Sequence, residues 1–449
     1  MKVNKLIYML AIPALFAVSC KKFLDVKPKG VIIAETLSDF EGILNGESIV
    51  NPFGLNNLLI YPTDDVHDAS FNPQSQSSPK GNAYFWVEYI NNSSVRPDLW
   101  ADIYTQIANL NVVTEGVLSA SSGSEQQKKQ LYAEAMVSKA FNYFQLLAFF
   151  APAYNSNTEA TEYGVPYVNS TDVSKDVPDR PTLNAAYEQL ISDVTLALPD
   201  LPVTNINNTR VTKDAAYGML TRIYMSMGDY PNASKYADMI LGTDRAKILD
   251  CADYNGGKLP PTNSSPEELW VRYSNNSSFT YSAELLSKYD LNNDLRIRLL
   301  ATKRADGTYT YGSMESYNPN RGITYAEIFL DKAECLARAG QIDAALDIIN
   351  NTIRKNRFLP AQYMPLTAAT PEAALTLVLE ERRRELAFKG TRWIDMKRLG
   401  NEGRMPQVRR IAKDGTTVLA TLPAGSRAYT FQIPLMVQSF NAGMPLNKR

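Results

Sequence analysis

The sequence predicts a mainly α-helical fold in which a single α-rich domain carries about four pairs of antiparallel helices. From about Asp98 onward, apolar residues recur at helical spacing over long segments of the 449-residue chain. In two of these segments an aromatic residue, a glycine and an alanine follow one another at the same spacing. Polar stretches rich in aromatic residues separate the helical segments, and they predict an irregular subdomain of loops and short strands beside the helices.

Residues 1–19 have the three parts of a secretory signal peptide. Lys2 and Lys5 form a basic start, residues 6–18 are apolar, and Ser19 is a small residue at the cleavage position. The apolar run is too short for a helix that spans a membrane, which needs about 20 residues. We therefore expect a mature chain that begins at residue 20.

Cys20 indicates a lipoprotein. Val18-Ser19-Cys20 is similar to a bacterial lipobox, in which the cysteine thiol is acylated and becomes the first mature residue, although Ala17 stands where leucine is usual. We expect lipidation at Cys20, and several acyl chains would hold the protein stably on a membrane. The alternative is a plain secretory signal that leaves Cys20 as a free thiol.

The charge and the cysteine content of the chain argue against a nucleic-acid-binding protein and against a disulfide-rich protein. Removal of the leader leaves 44 basic against 47 acidic residues, a net charge near −3, so no nucleic-acid binding is expected. Beyond Cys20 only Cys251 and Cys335 remain, too few for a disulfide framework. Cys335 lies in a helical apolar pattern that favours a buried free thiol. Packing must therefore supply the stability.

The first predicted helices span 98–119, 125–150 and 182–198. Two later helical segments each run into a glycine and a second helical run, with an aromatic residue eleven positions before the glycine and an alanine five after it. These positions are Tyr217, Gly228 and Ala233 in the first copy and Phe329, Gly340 and Ala345 in the second. This is the tetratricopeptide pattern of two antiparallel helices, in which glycine opens the turn and alanine allows close approach.

The last predicted helix spans 371–389, and Pro371 suits its first position. Its arginine run at 382–384 would suit phosphate or nucleic acid, but glutamates flank it on both sides. We expect instead a self-neutralised, salt-bridged helix. The expected pairs are Glu380 with Arg384 and Arg382 with Glu385.

Three long polar stretches hold too many aromatic residues to be disordered linkers. They span 61–97, 254–321 and 400–449. Loops of this length in a compact protein are usually functional or form a subdomain. We expect a single ligand-binding domain over 20–449, in which these stretches form a loop subdomain beside tetratricopeptide-like helices at roughly 98–240 and 322–400.

Several blocks in chain order resemble the SusD-like (RagB/SusD) family of Bacteroidetes outer-membrane lipoproteins. The blocks are CKKFLDVKP at 20–28, EAMVSKAFNYFQLLAFFAPAY at 134–154, YGVPYV at 163–168, RVTKDAAYGMLTRIYMSMGDYPNAS at 210–234, GITYAEIFLDKAECLARAG at 322–340 and ERRRELAFKGTRWIDMKRLG at 381–400. The last two are the most specific, because they resemble a C-terminal signature of that family.

The resemblance implies a nutrient-capturing lipoprotein at the outer membrane, facing the cell exterior, on a scaffold of four tetratricopeptide-like units. It also implies a SusC-like TonB-dependent transporter as the partner and oligosaccharides as the most frequent ligands. A peptide ligand, as in the RagB-like branch, is one alternative. A tetratricopeptide adaptor in envelope assembly is another, since a fold does not fix a function.

No catalytic motif is evident. His67 is the only histidine, so a Ser–His or Cys–His pair would require it as the base. It stands among acidic residues without a glycine-flanked nucleophile nearby. A glycosidase would need two carboxylates, which spacing in sequence cannot reveal. We expect a binding protein and not an enzyme.

No cofactor or metal is expected either. The stretch from Asp290 begins like an EF-hand calcium loop, but Leu295 stands where glycine is required and Ala301 where a bidentate glutamate belongs. A looser calcium site remains open as an alternative, although an acidic loop is more often only solvated. Its residues would be Asp64, Asp65 and Asp68.

Loop aromatics are the remaining candidates for ligand contact, because sugar rings present apolar faces beside hydroxyl groups. The candidate ligand-binding residues are Asn82, Tyr84, Trp86 and Tyr89 in the first loop and Trp270, Tyr281, Tyr309, Tyr311 and Tyr317 in the second. We expect Trp86 on an exposed platform, since it lies outside every helical block. The alternative for each ring is the core of the loop subdomain. Trp100 and Trp393 lie inside helical blocks and are assigned to packing.

Overall fold

A computed structural model describes residues 34–51, 58–73, 78–273, 278–312 and 319–449. The described residues form fifteen α-helices and a few short strands, which confirms the mainly α fold. The helices are α1 Leu37–Leu44, α2 Glu47–Val50, α3 Pro79–Tyr84, α4 Asp98–Gly116, α5 Glu125–Phe150, α6 Leu183–Ala197, α7 Lys213–Met227, α8 Tyr230–Leu241, α9 Ala283–Leu286, α10 Leu295–Leu300, α11 Tyr325–Arg338, α12 Ile342–Asp347, α13 Pro371–Glu385, α14 Arg392–Asn401 and α15 Leu435–Phe440.

The long helices stack on one another as the repeat pattern predicts. Helix α4 packs on α5, α5 on α6, α7 on α8, α8 on α11, and α11 on both α12 and α13. Gly228 and Gly340 have φ angles of 76° and 77°, in the left-handed region that favours glycine. Ala233 and Ala345, at the equivalent positions of the next helices, are fully buried. The two copies therefore share one turn geometry and one close helix contact.

Capping residues fix where the helices begin. The Thr370 hydroxyl accepts a hydrogen bond from the backbone N–H of Ala373 at 3.2 Å, and Pro371 occupies the first turn of α13. Ser124 and Gln127 form a reciprocal capping box at the start of α5. These local signals place both starts where the sequence predicts them.

The short strands all pair antiparallel. They are β1 Glu268–Trp270, β2 Phe279–Thr280, β3 Ala301–Lys303, β4 Tyr309–Tyr311, β5 Ile323–Thr324, β6 Val408–Ile411 and β7 Val418–Leu422. Strand β1 pairs with β5, β4 lies between β2 and β3, and β6 forms a hairpin with β7. These small sheets hold the polar, aromatic-rich stretches against the helices.

The arginine run of α13 is neutralised, but not as predicted. Arg382, Arg383 and Arg384 are all buried, and the expected pairs within the helix are wrong. Arg382 pairs with Asp331 at 2.6 Å and with Asp395 at 2.8 Å. Arg384 pairs with Glu381, and Glu385 pairs with Arg296 and Arg357. Most of the α13 charges therefore bind partners on other elements inside the protein, where the attraction between opposite charges is stronger than on a solvated helix face but is offset by the loss of hydration.

Cys251 and Cys335 are free, buried thiols, as expected for residues that only pack. Trp100 and Trp393 are also buried, which confirms their assignment to packing. Within the residues that the structure describes, no helix combines the length and the apolar character needed to cross a bilayer.

Candidate ligand-binding cleft

An open cleft of about 1070 Å³ lies where the loop subdomain meets α13 and the β6–β7 hairpin. This volume is just above the range for small-molecule sites, about 300 to 1,000 Å³, and leaves room for a chain of several sugar units. The lining comes from residues 64–67, 281–288 and 307–309, from α13 and from residues 404–415.

Tyr309 supplies a partly exposed aromatic ring to the lining of the cleft. It stands at the start of β4, next to the turn that joins β3 and β4. The Lys303 ammonium lies 5.8 Å from the centre of its ring. An aromatic face bordered by polar groups is the arrangement that sugar rings require.

His67 also lines the cleft and is half-buried. Its backbone N–H donates to the carbonyl of Thr280 at 2.9 Å, which holds the loop against β2. Burial lowers the pKa of the imidazole, so the side chain is neutral at about pH 7. Among the described residues no hydrogen bond joins His67 to a serine or cysteine, and the Ser282 hydroxyl donates instead to the carbonyl of Asp64 at 2.7 Å.

The floor of the cleft is a buried ion cluster. Arg392 donates to both carboxylate oxygens of Asp64 at 2.7 Å, and Arg383 donates to Asp65 at 2.8 Å. Burial alone would raise the pKa of Asp64, but the two arginines hold it below its usual range. Asp64 and Asp65 are therefore neither solvated nor placed for calcium, and the described residues contain no cluster of three or more metal-binding side chains.

The cleft also carries charged side chains from residues 284–288, α13 and the β6–β7 hairpin. Lys288 is half-buried and pairs with Glu284 at 3.5 Å and with Glu380 at 3.3 Å. Arg409 points outward from β6, and Lys413 lies exposed in the hairpin turn. These groups could bind the hydroxyl, carboxylate or sulfate groups of a ligand lying along the cleft.

Trp86 does not lie on an exposed platform, and that expectation is corrected. Its side chain is 4% exposed, and its indole N–H donates to the carbonyl of Pro62 at 2.8 Å. The Arg410 guanidinium lies 4.4 Å from the Trp86 ring centre and 3.9 Å from that of Tyr84, which is also buried. The two rings therefore enclose a buried cation. Tyr84 reaches the lining of the cleft, but it is only 1% exposed and so offers no face on which a sugar could stack.

Most predicted aromatics of the second loop are also core residues. Trp270 is fully buried against Phe141, with ring centres 5.2 Å apart. Tyr281 and Tyr311 are buried, and each has its ring centre 4.9 Å from that of Phe388. These side chains fill the space between the small sheets and the helices, so stacking on a sugar is not proposed for them.

Three further residues were predicted to bind the ligand. Asn82 donates from its side chain to the carbonyl of Ile90 at 2.9 Å, which closes the turn after α3. Tyr89 is half-buried and does not line the cleft, and its contact with a ligand stays a prediction. Tyr317 lies outside the described residues, as does the lipidation residue Cys20.

The sequence interpretation missed the charged wall of the cleft. Glu284, Lys288, Arg409 and Lys413 were not among the predicted residues, because they meet only in the folded chain. The only signal in the sequence is the length and aromatic content of the stretch 400–449, which predict part of the loop subdomain but no particular binding residue.

Comparison with known proteins shows which protein family the sequence matches. The sequence model of a family described as starch-binding and associating with the outer membrane matches residues 22–225, and that of the SusD family matches residues 299–418. SusD-like protein P2 of Formosa agariphila is 22% identical over 375 residues, which cover 68% of this chain and 72% of that protein.

Solved structures give the same result for the fold. A SusD superfamily protein from Bacteroides thetaiotaomicron superposes with a TM-score of 0.74 at 20% identity, covering 92% of this chain and 100% of that one. A laminarin-binding SusD-like protein superposes with a TM-score of 0.65 at 18% identity, covering 92% and 99%. The chain belongs to the SusD-like family.

Proposed function

We propose that this protein binds oligosaccharides in the cleft and delivers them to a SusC-like TonB-dependent transporter in the outer membrane. The observation that carries the proposal is the large open cleft with Tyr309 half-exposed in its wall. Family membership supports the ligand class, since one matching family is described as starch-binding and one relative of the same fold binds laminarin. The proposal involves binding alone and includes no reaction.

The ring of Tyr309 is the proposed stacking platform. Because the ring is half-exposed, its removal should leave the core intact while it removes the apolar surface on which a sugar lies. Tyr309→Ala should weaken oligosaccharide binding about tenfold, which corresponds to about 1.4 kcal/mol. Binding is measured by calorimetric titration with ligands found on a glycan array, and a melting temperature for each variant checks the fold.

Tyr89→Ala tests the competing site in the first loop, since Tyr89 is also half-buried and remains a predicted ligand contact but does not line the cleft where we propose that the ligand binds. It should bind like the wild type. Loss of affinity in Tyr89→Ala with none in Tyr309→Ala would move the site to the first loop. A peptide library that binds where every glycan fails would replace the oligosaccharide with a peptide ligand.

Delivery to a transporter is the second part of the proposal. The support is family membership and the leader, in which Cys20 offers a site for acylation at the membrane. Crosslinking in intact cells should recover a TonB-dependent barrel together with this protein. Repeated recovery of the protein alone would contradict a stable partnership.

A further inference from the structure

Basic side chains outnumber acidic ones in the cleft, although the whole chain is close to neutral. Among the described residues, seven basic and three acidic side chains line it, whereas the chain as a whole has a formal net charge of −1. The basic residues are Lys288, Arg383, Arg392, Arg404, Arg409, Arg410 and Lys413, and the acidic ones are Asp64, Glu284 and Glu380. Arg404 and Arg383 also pair with acids outside the lining, Arg404 with Glu372 and Glu402 and Arg383 with Asp65. A concave surface on which one sign of charge is in excess attracts ligands of the opposite sign.

The acidic residues of the cleft are all engaged by its own cations. Asp64 is bound by Arg392 at 2.7 Å, and Glu284 is bound by Arg383 at 2.5 Å. Glu380 pairs with Lys288 at 3.3 Å. These carboxylates are already neutralised and would repel an anionic ligand only weakly.

Two exposed cations have no such partner. Arg409 and Lys413 pair with no carboxylate among the described residues, and both side chains are exposed on the cleft. The side-chain amide of Gln407 lies beside the Arg409 guanidinium, but an amide is neutral and leaves the charge uncompensated. Arg410 also lacks a carboxylate, yet it is buried and donates to the carbonyls of Tyr61, Val66 and Tyr84.

A further cation lies beside the aromatic platform. Lys303 does not line the cleft, but it is exposed and its ammonium lies over the ring of Tyr309, 5.8 Å from the ring centre. A sugar stacked on the free face of Tyr309 would thus lie in the same cleft as the hairpin cations. Guanidinium and ammonium groups bind carboxylates and sulfate esters by charge-assisted hydrogen bonds.

We propose that the ligand is an anionic oligosaccharide, whose sugar units carry carboxylates or sulfate esters, and that Arg409 and Lys413 select it. This inference rests on the proposed binding of oligosaccharides in the cleft and names their chemical class. The charges of such a ligand would supply the counter-ions that the two exposed cations lack in the protein itself.

The test compares three probes of similar length: a hexasaccharide of galacturonate, a sulfated galactan hexasaccharide and the neutral laminarihexaose. The double variant Arg409→Gln/Lys413→Gln is set against Lys129→Gln/Lys355→Gln, which removes two exposed cations outside the cleft. Affinity is measured by calorimetric titration at low and high salt, and melting temperatures check the fold of each variant.

We expect at least one anionic hexasaccharide to bind more tightly than laminarihexaose and to weaken as salt screens the charges. The Arg409 and Lys413 variant should lose about tenfold for that ligand and little for the neutral one, because hydrogen bonds to charged groups are the stronger kind. The Lys129 and Lys355 variant should bind like the wild type. The two anionic probes separate a carboxylate preference from a sulfate preference.

Two outcomes overturn the inference in distinguishable ways. If laminarihexaose binds as tightly as both anionic probes, or if the two double variants behave alike, oligosaccharide binding stands and the charge selection is wrong. If none of the three probes binds to the folded protein, the inference fails together with the proposed binding of oligosaccharides.

Discussion

Trp86 shows how a single loop residue can serve the core by enclosing a charge. Its backbone has a φ of 55°, a left-handed conformation that is rare for a large side chain and needs support from its surroundings. The hydrogen bond from its indole to Pro62 and the contact with Arg410 provide that support. A buried cation without a carboxylate must be stabilised by carbonyls and aromatic faces, and Trp86 supplies one of those faces.

We predict that Trp86→Ala destabilises the protein by about 3 to 5 kcal/mol, since removal of a buried tryptophan leaves a cavity. The free energy of unfolding in urea measures the effect. Tyr309→Ala is the control, and it should change stability little because its ring is only half-buried. An unchanged free energy of unfolding for Trp86→Ala would show that the ring does not belong to the core.

Lys397 is a second residue whose role is set by its surroundings. It lies buried in α14, and its ammonium donates to the carbonyls of Ala148 and Ala151 at 2.8 and 2.6 Å. No carboxylate in the described part of the chain pairs with it. Burial therefore lowers the pKa of Lys397 to about 7, far below that of a lysine in water.

This shift makes the stability depend on pH. Between about pH 7 and the ordinary lysine pKa of about 10.4, the Lys397 side chain is protonated in the unfolded chain but neutral in the folded chain. Because the unfolded state binds the extra proton, the free energy of unfolding rises with pH over this range. Lys397→Met removes the effect. Relative to that variant, the wild type should gain about 2 kcal/mol between about pH 7 and about pH 9. A constant difference between the two free energies of unfolding over this range would contradict the shift.

At the residue scale, regular periodicity decides what the sequence can predict. Trp100 and Trp393 were correctly assigned to the core because they stand in helices, where spacing fixes the inward face. Trp86 and Trp270 lie in short, irregular elements, where no repeating pattern shows which side chain turns inward. Composition alone therefore could not separate Tyr309, which lines the cleft, from Tyr311, which is buried.

Helix α13 is the element on which the interior charges converge. Glu381 is fully buried and accepts hydrogen bonds from Arg296, Arg354 and Arg384 at distances of 2.6 to 3.0 Å. Glu380, the preceding residue, is half-buried, with 40% of its side chain exposed, and pairs with Lys288 at the cleft. Two adjacent glutamates on one helix thus serve different purposes, one inside the fold and one at the candidate site.

We predict that Glu381→Gln destabilises the protein by about 3 to 5 kcal/mol, because it removes the counter-charge of Arg384, which is buried, and of Arg354, although Arg296 keeps Asp294 and Glu385. Glu380→Gln, which makes the same chemical change one residue earlier, should cost less than about 1 kcal/mol. Chemical unfolding of both variants measures the difference. Equal losses in the two variants would show that the buried network is not what stabilises α13.

The same network should make the fold sensitive to acid. Burial alone would raise the pKa of Glu381, but the three arginines lower it to about 2. A lowered pKa contributes stability above the unfolded value of about 4.3, and this contribution is lost as the pH falls toward 2. The wild type should lose stability over this acidic range more steeply than Glu381→Gln, and parallel curves would contradict that assignment.

Helix positions were predictable from the sequence, whereas their charge partners were not. Local signals such as Thr370 and Pro371 act within one turn, so they are visible in the sequence. The expected pair of Arg382 with Glu385 failed because Asp331 and Asp395, which are distant in sequence, reach the same guanidinium inside the fold. Spacing rules for exposed helices do not apply to a helix with buried charges.

At the scale of the whole molecule, the family resemblance and the repeat register predicted the fold, but not the cleft. Its walls come from residues 64–67, 281–309 and 376–415, which only the stacking of the helices brings together. A single sequence contains no direct record of such long-range contacts. The charged hairpin wall with Arg409 and Lys413 could therefore be recognised only in the structure.

The predicted leader bears on where the folded chain lies in the cell. Cys20 follows residues 1–19, which are predicted to form a signal peptide, and we propose that its thiol is acylated so that the protein is held at the outer membrane. A single acyl chain gives only marginal membrane binding, whereas several chains give a stable anchor, since each buried methylene contributes about 0.8 kcal/mol. A ligand-binding protein held in this way would stay beside its transporter.

We predict that cells fed a fatty-acid probe label the wild-type protein and that Cys20→Ala abolishes the label and releases the protein from the membrane fraction. The control is Cys251→Ala, which should keep the label, because the Cys251 thiol is buried in the folded chain. Burial also raises the pKa of that thiol to about 11, so it is a poor nucleophile at neutral pH. A labelled Cys20→Ala variant, or an unlabelled wild type, would contradict acylation at Cys20 and leave the plain secretory signal as the remaining interpretation of the leader.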